Sequence, residues 1–169
     1  MSLHPAALPD ARLLAECEVQ RSRGGGPGGR HRNSTESRVV VRHLASGVEA
    51  LAGERRSQHE NLDVALGRLR RALATEVRNP IAVGAKPSAL WLSRVRGGRI
   101  ACNPEHRDFP VLLAEALDAI ASTAWDVRPA CAQLGVSSTQ LIRLVAVEPQ
   151  ALVMLNRRRA ELGMAPMRG

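Results

Sequence analysis

A glycine-rich stretch set among arginines is the part of this sequence best suited to chemistry. Residues 24–33 read GGGPGGRHRN. Residues 21–43 contain only one acid, Glu36, and six arginines: Arg21, Arg23, Arg30, Arg32, Arg38 and Arg42. Because a guanidinium group binds phosphate through two parallel hydrogen bonds, this pattern predicts a loop that enters a phosphate-lined cavity. A flexible, solvated loop without a partner is the plainer interpretation.

Two nucleotide-binding patterns are only partly met. Gly24, Gly26 and Gly29 fit GxGxxG, but Pro27 interrupts the pattern and a predicted strand follows it where a helix is needed. Gly24 and Gly29 also have the spacing of a Walker A loop, but Arg30-His31 stands where Lys-Ser/Thr is needed. No nucleotide or other small-molecule cofactor is therefore expected.

The elements around this stretch predict a small α+β domain. Over residues 37–43, Val39 and Val41 alternate with Arg38 and Arg42, as in a half-buried strand. The predicted elements are a short helix over 8–17, a strand over 17–23, a hairpin of strands over 37–43 and 48–53, and an amphipathic helix over 57–78.

The long predicted helix has clear end signals and an ambiguous charged face. Ser57 followed by Glu60 is a capping-box pattern, and Asn79-Pro80 ends the helix. Four arginines lie along it and either bind phosphates or form a solvated face: Arg68, Arg70, Arg71 and Arg78.

The second half predicts a separate module. Residues 81–107 contain Pro87, Gly97-Gly98 and Pro104, which indicates a basic linker with a short strand near 89–95. Residues 108–169 predict helices only: one capped by Asp108, two short ones around Gly135, and a last one from Pro149.

Residues 127–146 have the pattern of a helix-turn-helix. Ser137 would cap its second helix, which presents Ser138, Thr139, Gln140 and Arg143. Three interpretations stay open: DNA reading, contact with RNA or a ribosomal protein, and pure scaffolding.

Composition limits the class of protein. The 169 residues carry 24 basic and 16 acidic side chains, a net charge of +8, and residues 108–169 contribute none of it. A polyanionic partner should therefore dock on the first two-thirds of the chain, although arginine-rich usage is also what GC-rich codons produce. No membrane span or secretory signal is recognisable, and three separated cysteines indicate a reducing compartment, so a cytoplasmic protein without a metal site is expected.

Two motifs at this separation resemble the catalytic domain of bacterial class I peptide chain release factors over about residues 8–78. That family has a loop of the type SGxGGQ-x-x-N and, after a hairpin, R-S-Q-x-x-N-x-x-x-A on a helix. The matching positions here are Gly28, Gly29, His31 and Asn33 in the loop and Arg56, Ser57, Gln58, Asn61 and Ala65 on the helix.

The resemblance implies hydrolysis of the ester that joins the nascent peptide to tRNA in the ribosome. Gly28, Gly29 and position 30 would then be catalytic, with the backbone N–H of position 30 stabilising charge in the transition state. It also implies contact with large-subunit rRNA and peptidyl-tRNA through ten residues: Arg21, Arg23, His31, Arg32, Asn33, Arg38, Arg42, Arg56, Ser57 and Gln58.

Two departures from the family pattern bear on activity. Arg30 stands where the loop glutamine is expected, and Ser34 replaces the usual lysine after Asn33. Arg30 keeps the backbone N–H but adds length and a permanent charge, so we expect ribosome binding to survive better than hydrolysis. The resemblance is closest to the short rescue hydrolases that act without a stop codon, because nothing here resembles a codon-reading region.

The sequence thus predicts an α+β release-factor-like domain over 1–80, a basic linker over 81–107 and an all-α, helix-turn-helix-like module over 108–169. The expected function is codon-independent release or rescue on the ribosome, with hydrolysis impaired by Arg30. The alternatives are a non-catalytic ribosome- or RNA-binding factor and a DNA-binding regulator.

Overall fold

A computed structural model describes residues 3–22 and 37–169. The chain divides into two compact units, which we call the first unit (Leu3–Leu73) and the second unit (Ala74–Gly169). The division falls after Leu73, before the boundary near residue 80 that the sequence predicted. The predicted catalytic positions 28–30 and the predicted RNA contacts Arg23, His31, Arg32 and Asn33 lie outside the described residues.

The first unit is a three-stranded antiparallel sheet with helices before and after it, in the strand order β1-β2-β3. A single 3-10 turn, Pro5–Ala7, precedes the longer elements. These are α1 (Asp10–Ala15), β1 (Cys17–Ser22), β2 (Arg38–His43), β3 (Glu49–Ala52) and α2 (Gln58–Glu76). Each matches a predicted element in type and lies within its predicted bounds.

Alternation in β2 sets the two faces of the sheet. Val39 and Val41 are fully buried, whereas Arg38 and Arg42 are exposed, as the sequence predicted. The apolar stripe of α2 is buried as well, with Leu69 and Leu73 at 0% exposure. Each such side chain contributes about 1.5–3 kcal/mol when it leaves water, so these two faces form the core of the unit.

The second unit contains five helices and a two-stranded hairpin. In chain order they are α3 (Ala89–Arg94), β4 (Val95–Arg96), β5 (Arg99–Ile100), α4 (Phe109–Ser122), α5 (Val127–Leu134), α6 (Ser138–Ala146) and α7 (Pro149–Glu161). The helix α4 is the centre of the unit, because almost every residue from Phe109 to Ile120 is buried.

The residues predicted as a linker are folded. Ser88 caps α3 by accepting the Trp91 N–H at 3.0 Å, and the strand expected near 89–95 is a helix for most of its length. Trp91 is fully buried and its indole Nε1 donates to the Leu134 carbonyl at 2.9 Å. This aromatic anchor outweighs the Gly and Pro residues that suggested a linker.

The helix ends of the second unit agree with the sequence except at Asp108. Gly135 has φ +67°, a left-handed conformation that glycine adopts without strain, and Ser137 accepts the Gln140 N–H at 3.2 Å. Asp108 precedes α4 but makes no side-chain cap hydrogen bond. Its carboxylate is bound by Arg94 instead, at 2.6 and 3.1 Å.

Candidate functional site

The described residues on either side of segment 23–36 lie at one end of the β1–β2 pair in the first unit. Ser22, the last residue of β1, is the register partner of Arg38, the first residue of β2. We call Ser22, Ser37 and Arg38 the segment base. The described residues that flank the predicted loop are therefore neighbours on an antiparallel strand pair.

Asn61 ties the segment base to the start of α2. Its side chain is fully buried, and its Nδ2 donates to the Ser37 carbonyl and, at 2.9 Å, to the Arg55 carbonyl. Its Oδ1 accepts the Arg55 N–H at 2.9 Å. This motif position is thus an internal clamp between two backbone segments.

The start of α2 has the predicted capping arrangement. Ser57 Oγ accepts the Glu60 N–H at 3.4 Å, and the Ser57 carbonyl accepts the Asn61 N–H at 3.1 Å. Since Asn61 bonds both Ser37 and Arg55, the Arg56-Ser57 step lies beside the segment base. The structure therefore brings two separated predictions, Arg38 and Arg56, into one neighbourhood.

Four exposed arginines lie on the chain segments that meet here, and we call them the arginine cluster: Arg21, Arg38, Arg55 and Arg56. Arg21 is the register partner of Val39, so it lies on the face of the sheet opposite to Arg38. None of the four forms an ion pair with the residues at 3–22 and 37–169. Sequence reasoning missed Arg55, although its position next to Arg56 was a usable signal.

Arg42, also predicted to bind RNA, is placed differently. It lies four residues from Arg38, about 13 Å along the strand. Its register partners are Glu18 on one side and Glu49 on the other, and both are exposed. Opposite charges across a sheet attract, so the field of Arg42 is partly offset, and its role as an RNA contact stays a prediction.

Two of the arginines on α2 have structural partners. Arg68 donates to both carboxylate oxygens of Glu54, at 2.6 and 3.3 Å, and to the Leu51 carbonyl at 2.7 Å. Backbone N–H groups of Gly53 and Glu54, together with Arg68, hold the pKa of Glu54 below its usual range. Arg70 binds Asp10 at 2.5 Å and the Ala6 carbonyl at 2.8 Å. These arginines fasten α2 to its own unit.

A serine, a histidine and a carboxylate meet at the β2–β3 turn, a set that sequence spacing did not reveal. Ser46 Oγ lies 2.7 Å from His43 Nδ1, and Glu16 Oε2 lies 3.3 Å from Nε2. Nδ1 also accepts the Ser46 N–H, so Nε2 carries the proton that faces Glu16. This order of groups is that of an activated serine nucleophile.

The hydrogen bonds of the turn assign this set a structural role. Ser46 Oγ accepts the Val48 N–H at 3.3 Å, and the Gly47 N–H donates to the His43 carbonyl at 2.8 Å. The N–H groups of residues 46–48 are therefore all engaged, and none remains to stabilise an oxyanion.

Replacing Ser46 with alanine is expected to lower the free energy of unfolding by about 1 kcal/mol, since two modest hydrogen bonds are lost at a partly exposed turn. Urea unfolding followed by circular dichroism measures this. A loss near 3 kcal/mol would contradict the assignment as a simple turn brace. The control is Ser93→Ala, which removes a single exposed hydrogen bond to the Leu90 carbonyl.

The described residues form neither a metal-binding cluster nor a membrane-spanning helix. Within 3–22 and 37–169, no three His, Cys, Asp or Glu side chains are grouped so that they could hold a metal ion. No helix of those ranges is both long and apolar enough to cross a bilayer. Cys17, Cys102 and Cys131 are free thiols, and burial raises the pKa of each.

Comparison with known proteins gives one family match. Residues 14–87 match the family model described as the RF-1 domain, which includes the sheet, the segment base and all of α2. The second unit lies outside the match from residue 88 onward.

Similar curated proteins include three called peptide chain release factor 1. The one from Acidiphilium cryptum (strain JF-5) is 36% identical over 85 residues, covering 47% of this chain and 24% of the relative. The one from Mesoplasma florum (strain ATCC 33453 / NBRC 100688 / NCTC 11704 / L1) is 39% identical, covering 38% of this chain and 20% of the relative. The one from Xylella fastidiosa (strain 9a5c) is 38% identical, covering 44% of this chain and 22% of the relative. The chain thus spans about a quarter or less of the length of these relatives.

Proposed function

We propose that this protein is a translation release factor of the codon-independent, rescue type, which acts on the peptidyl-tRNA ester in the ribosome. The observation that carries the proposal is the RF-1 domain match over residues 14–87. Within it, the arginine cluster and the Asn61 clamp lie at the base of the segment that carries Gly28 and Gly29. A release factor needs both features: cations that bind phosphate, and a loop whose ends are held in place.

The described residues would have two roles, phosphate binding and positioning of the segment base. The arginine cluster binds phosphates of large-subunit rRNA, since its charges have no ion-pair partner among residues 3–22 and 37–169. Ser57 and Asn61 fix the start of α2 against the segment base. The segment is then presented to the ester from the end of the β1–β2 pair.

The reaction itself is a hydrolysis. Water adds to the carbonyl carbon of the ester, the bond from that carbon to the tRNA oxygen breaks, and a proton of the water passes to the departing oxygen. Negative charge develops on the carbonyl oxygen, and the backbone N–H of residue 30 is the group that would stabilise it. Glycine at 28 and 29 allows backbone angles that a side chain disfavours.

Single-turnover release of labelled peptide from ribosomes that hold peptidyl-tRNA tests the proposal. The native protein, Arg30→Gln and Gly29→Ala are compared. We expect Arg30→Gln to be the fastest and Gly29→Ala to be slower than native by about 100-fold, because displacements of about 1 Å cost about that much in rate. If none of the three releases peptide above the rate without factor, the hydrolase proposal is wrong.

A second candidate function is a ribosome-binding factor that does not hydrolyse the ester. Arg30 favours it, because a long cation replaces the neutral amide that the resemblance expects beside the attacking water. Release by Arg30→Gln alone, with equal ribosome co-sedimentation of native protein and variant, would assign this function.

A further inference from the structure

The hairpin β4–β5 of the second unit carries two arginines that form no ion pair with residues 3–22 and 37–169. Arg96 and Arg99 are register partners, and both are exposed. Gly97 and Gly98 join them with φ of +56° and +73°, which is the two-residue turn that suits a tight hairpin. Side chains of directly paired residues lie on the same face of a hairpin, so the two guanidinium groups share one side of it.

This pairing costs stability in the absence of a partner. Like charges placed opposite each other across two strands repel. Neither Arg96 nor Arg99 forms an ion pair within the part of the chain that the structure describes, whereas the neighbouring Arg94 is neutralised by Asp108 at 2.6 Å. An anion bound between Arg96 and Arg99 would turn a repulsive pair into a favourable site.

A third arginine without an ion pair among residues 3–22 and 37–169 lies on α6, the helix that the hairpin contacts. The Ile100 N–H of β5 faces Gln140 Oε1 of α6 at 3.4 Å, so the hairpin rests on that side of α6. At the tip, the position of a Cβ on Gly98 would be 4.0 Å from the Gly135 carbonyl oxygen in the α5–α6 turn. Arg143 follows Gln140 by three residues, lies on the same helix face, and is exposed.

We propose that Arg96, Arg99 and Arg143 form a second nucleic-acid surface, which binds the phosphate backbone of duplex RNA. We call these three residues the hairpin surface. It is independent of the arginine cluster, since it belongs to the second unit and lies outside the RF-1 match. It also goes beyond the proposed hydrolase, because it assigns a ligand to residues that the release reaction does not use.

The position of the hairpin favours RNA over DNA. In a helix-turn-helix DNA reader, residues at the N-terminal end of the second helix reach base edges in the major groove. Here Gln140, near that end of α6, accepts the Ile100 N–H at 3.4 Å, so this side chain is engaged by the hairpin. Duplex RNA is recognised mainly through phosphates and 2′-hydroxyls on its outside, which needs projecting cations and no inserted helix.

The test uses the full chain and a short, blunt-ended RNA duplex labelled with fluorescein. Fluorescence anisotropy is recorded at several salt concentrations for the native protein and for the double variant Arg96→Gln/Arg99→Gln. The matched control is Arg128→Gln/Arg157→Gln, which removes the same charge from two exposed arginines of α5 and α7. Far-UV circular dichroism and thermal unfolding confirm that all three are folded.

The expected result is a loss of about tenfold in RNA affinity for the hairpin variant, and a salt slope that is smaller by about 2, since each arginine would neutralise one phosphate. The control should lose less than about threefold. Equal losses in both variants, or no binding by the native protein, would overturn the proposal. So would equal or tighter binding of a DNA duplex of the same sequence.

These outcomes are separate from those of the release assay. Peptide release by the Gly29 and Arg30 variants reports on segment 23–36, whereas binding of a free RNA duplex does not require a ribosome. Loss of RNA affinity in the hairpin variant without any peptide release by the native protein would support the hairpin surface and reject the hydrolase.

Discussion

Replacing Asn61 with alanine is expected to lower the free energy of unfolding by about 3 kcal/mol and to slow peptide release by about 100-fold. The stability loss follows because the change removes three hydrogen bonds and leaves the Ser37 carbonyl and both backbone groups of Arg55 without their partner. Each of these part-buried hydrogen bonds contributes about 1 kcal/mol, so the loss of three gives about 3 kcal/mol. Denaturant unfolding measures this part of the prediction.

The loss in rate follows from position. Ser37 is the residue by which the chain re-enters the sheet after segment 23–36, so releasing it frees one end of the predicted catalytic loop. Asn61 acts as a positioning residue, because its side chain is fully buried and bonds only backbone groups. The single-turnover rate at saturating factor should therefore fall. The concentration of factor that gives half the maximal rate should change by less than about threefold, because the arginine cluster is intact. The rate of peptide release is measured in the native chain or in the Arg30→Gln variant, whichever of the two releases peptide faster.

A second asparagine offers a matched control. Asn156 also bonds a distant backbone position twice, donating to the Met167 carbonyl at 2.9 Å and accepting the Met167 N–H at 2.7 Å. It lies in the second unit. Asn156→Ala should destabilise the protein but leave the release rate within about twofold of its background. If both variants slow release equally, the effect of Asn61 is general destabilisation and the positioning role is wrong.

The sheet and α2 could be predicted because their signals are local. Alternation in β2, the turn at residues 45–47 and the apolar stripe of α2 each act within a few residues, and all three elements lie within the predicted bounds. The turn residue Gly135 and the cap Ser137 were found for the same reason. Such signals need no knowledge of the partner surface.

The predictions that failed depended on distant partners. Trp91 turns an apparent linker into a helix because its indole bonds Leu134, 43 residues away. The Asp108 carboxylate, which was predicted to cap α4, binds Arg94 instead. In the set of Glu16, His43 and Ser46, the bond between Glu16 and His43 joins residues 27 apart in the chain. Local patterns carry no information on such pairs, because tertiary contacts decide them.

The candidate site was predicted from motif resemblance, and the structure adds the hydrogen bonds of its described residues. Asn61 and Ser57 belong to the same motif as Arg56, yet two of them bond the backbone and one is exposed. A linear motif records which residues occur together and not which of them face a ligand. Resolving that needs the hydrogen-bond partners, as at Arg68 and Arg70, whose charges are used within the first unit.

Replacing Asp118 with asparagine is expected to cost less than about 1 kcal/mol at neutral pH, because burial raises the pKa of the carboxyl to about 6 and so offsets what its charge gains from Arg78. Arg78 is largely buried and contacts Asp118 at 3.1 Å, and it also donates to the Ala74 carbonyl. Asp118→Asn keeps an oxygen for the Asn79 N–H, which lies at 3.1 Å, but leaves the guanidinium charge unpaired. Thermal and urea unfolding at pH 7 measure the loss. An exposed pair, Arg158 with Glu161, is the control, and Glu161→Gln should cost less than about 0.5 kcal/mol.

The double variant Asp118→Asn/Arg78→Met is expected to lie within about 1 kcal/mol of native in its free energy of unfolding. Burial raises the pKa of Asp118 to about 6 even though Arg78 beside it lowers that pKa. Burial also lowers the pKa of Arg78 to about 10, although Asp118 raises it. The cost of burying both charges therefore offsets their attraction. A double variant less stable than either single variant would contradict this.

The same pair predicts a pH dependence with a definite sign. The pKa of Asp118 is raised from 3.8 to about 6 on folding, so between these values the folded protein binds more protons than the unfolded chain. Its contribution to stability is therefore fully present below about pH 4 and is lost as the pH rises through about 6. The difference in unfolding free energy between native protein and Asp118→Asn isolates this contribution, since every other titrating group is common to both. Relative to the variant, the native protein should lose stability between pH 4 and pH 6, and a rise over that interval would show that Arg78 outweighs burial at this carboxylate.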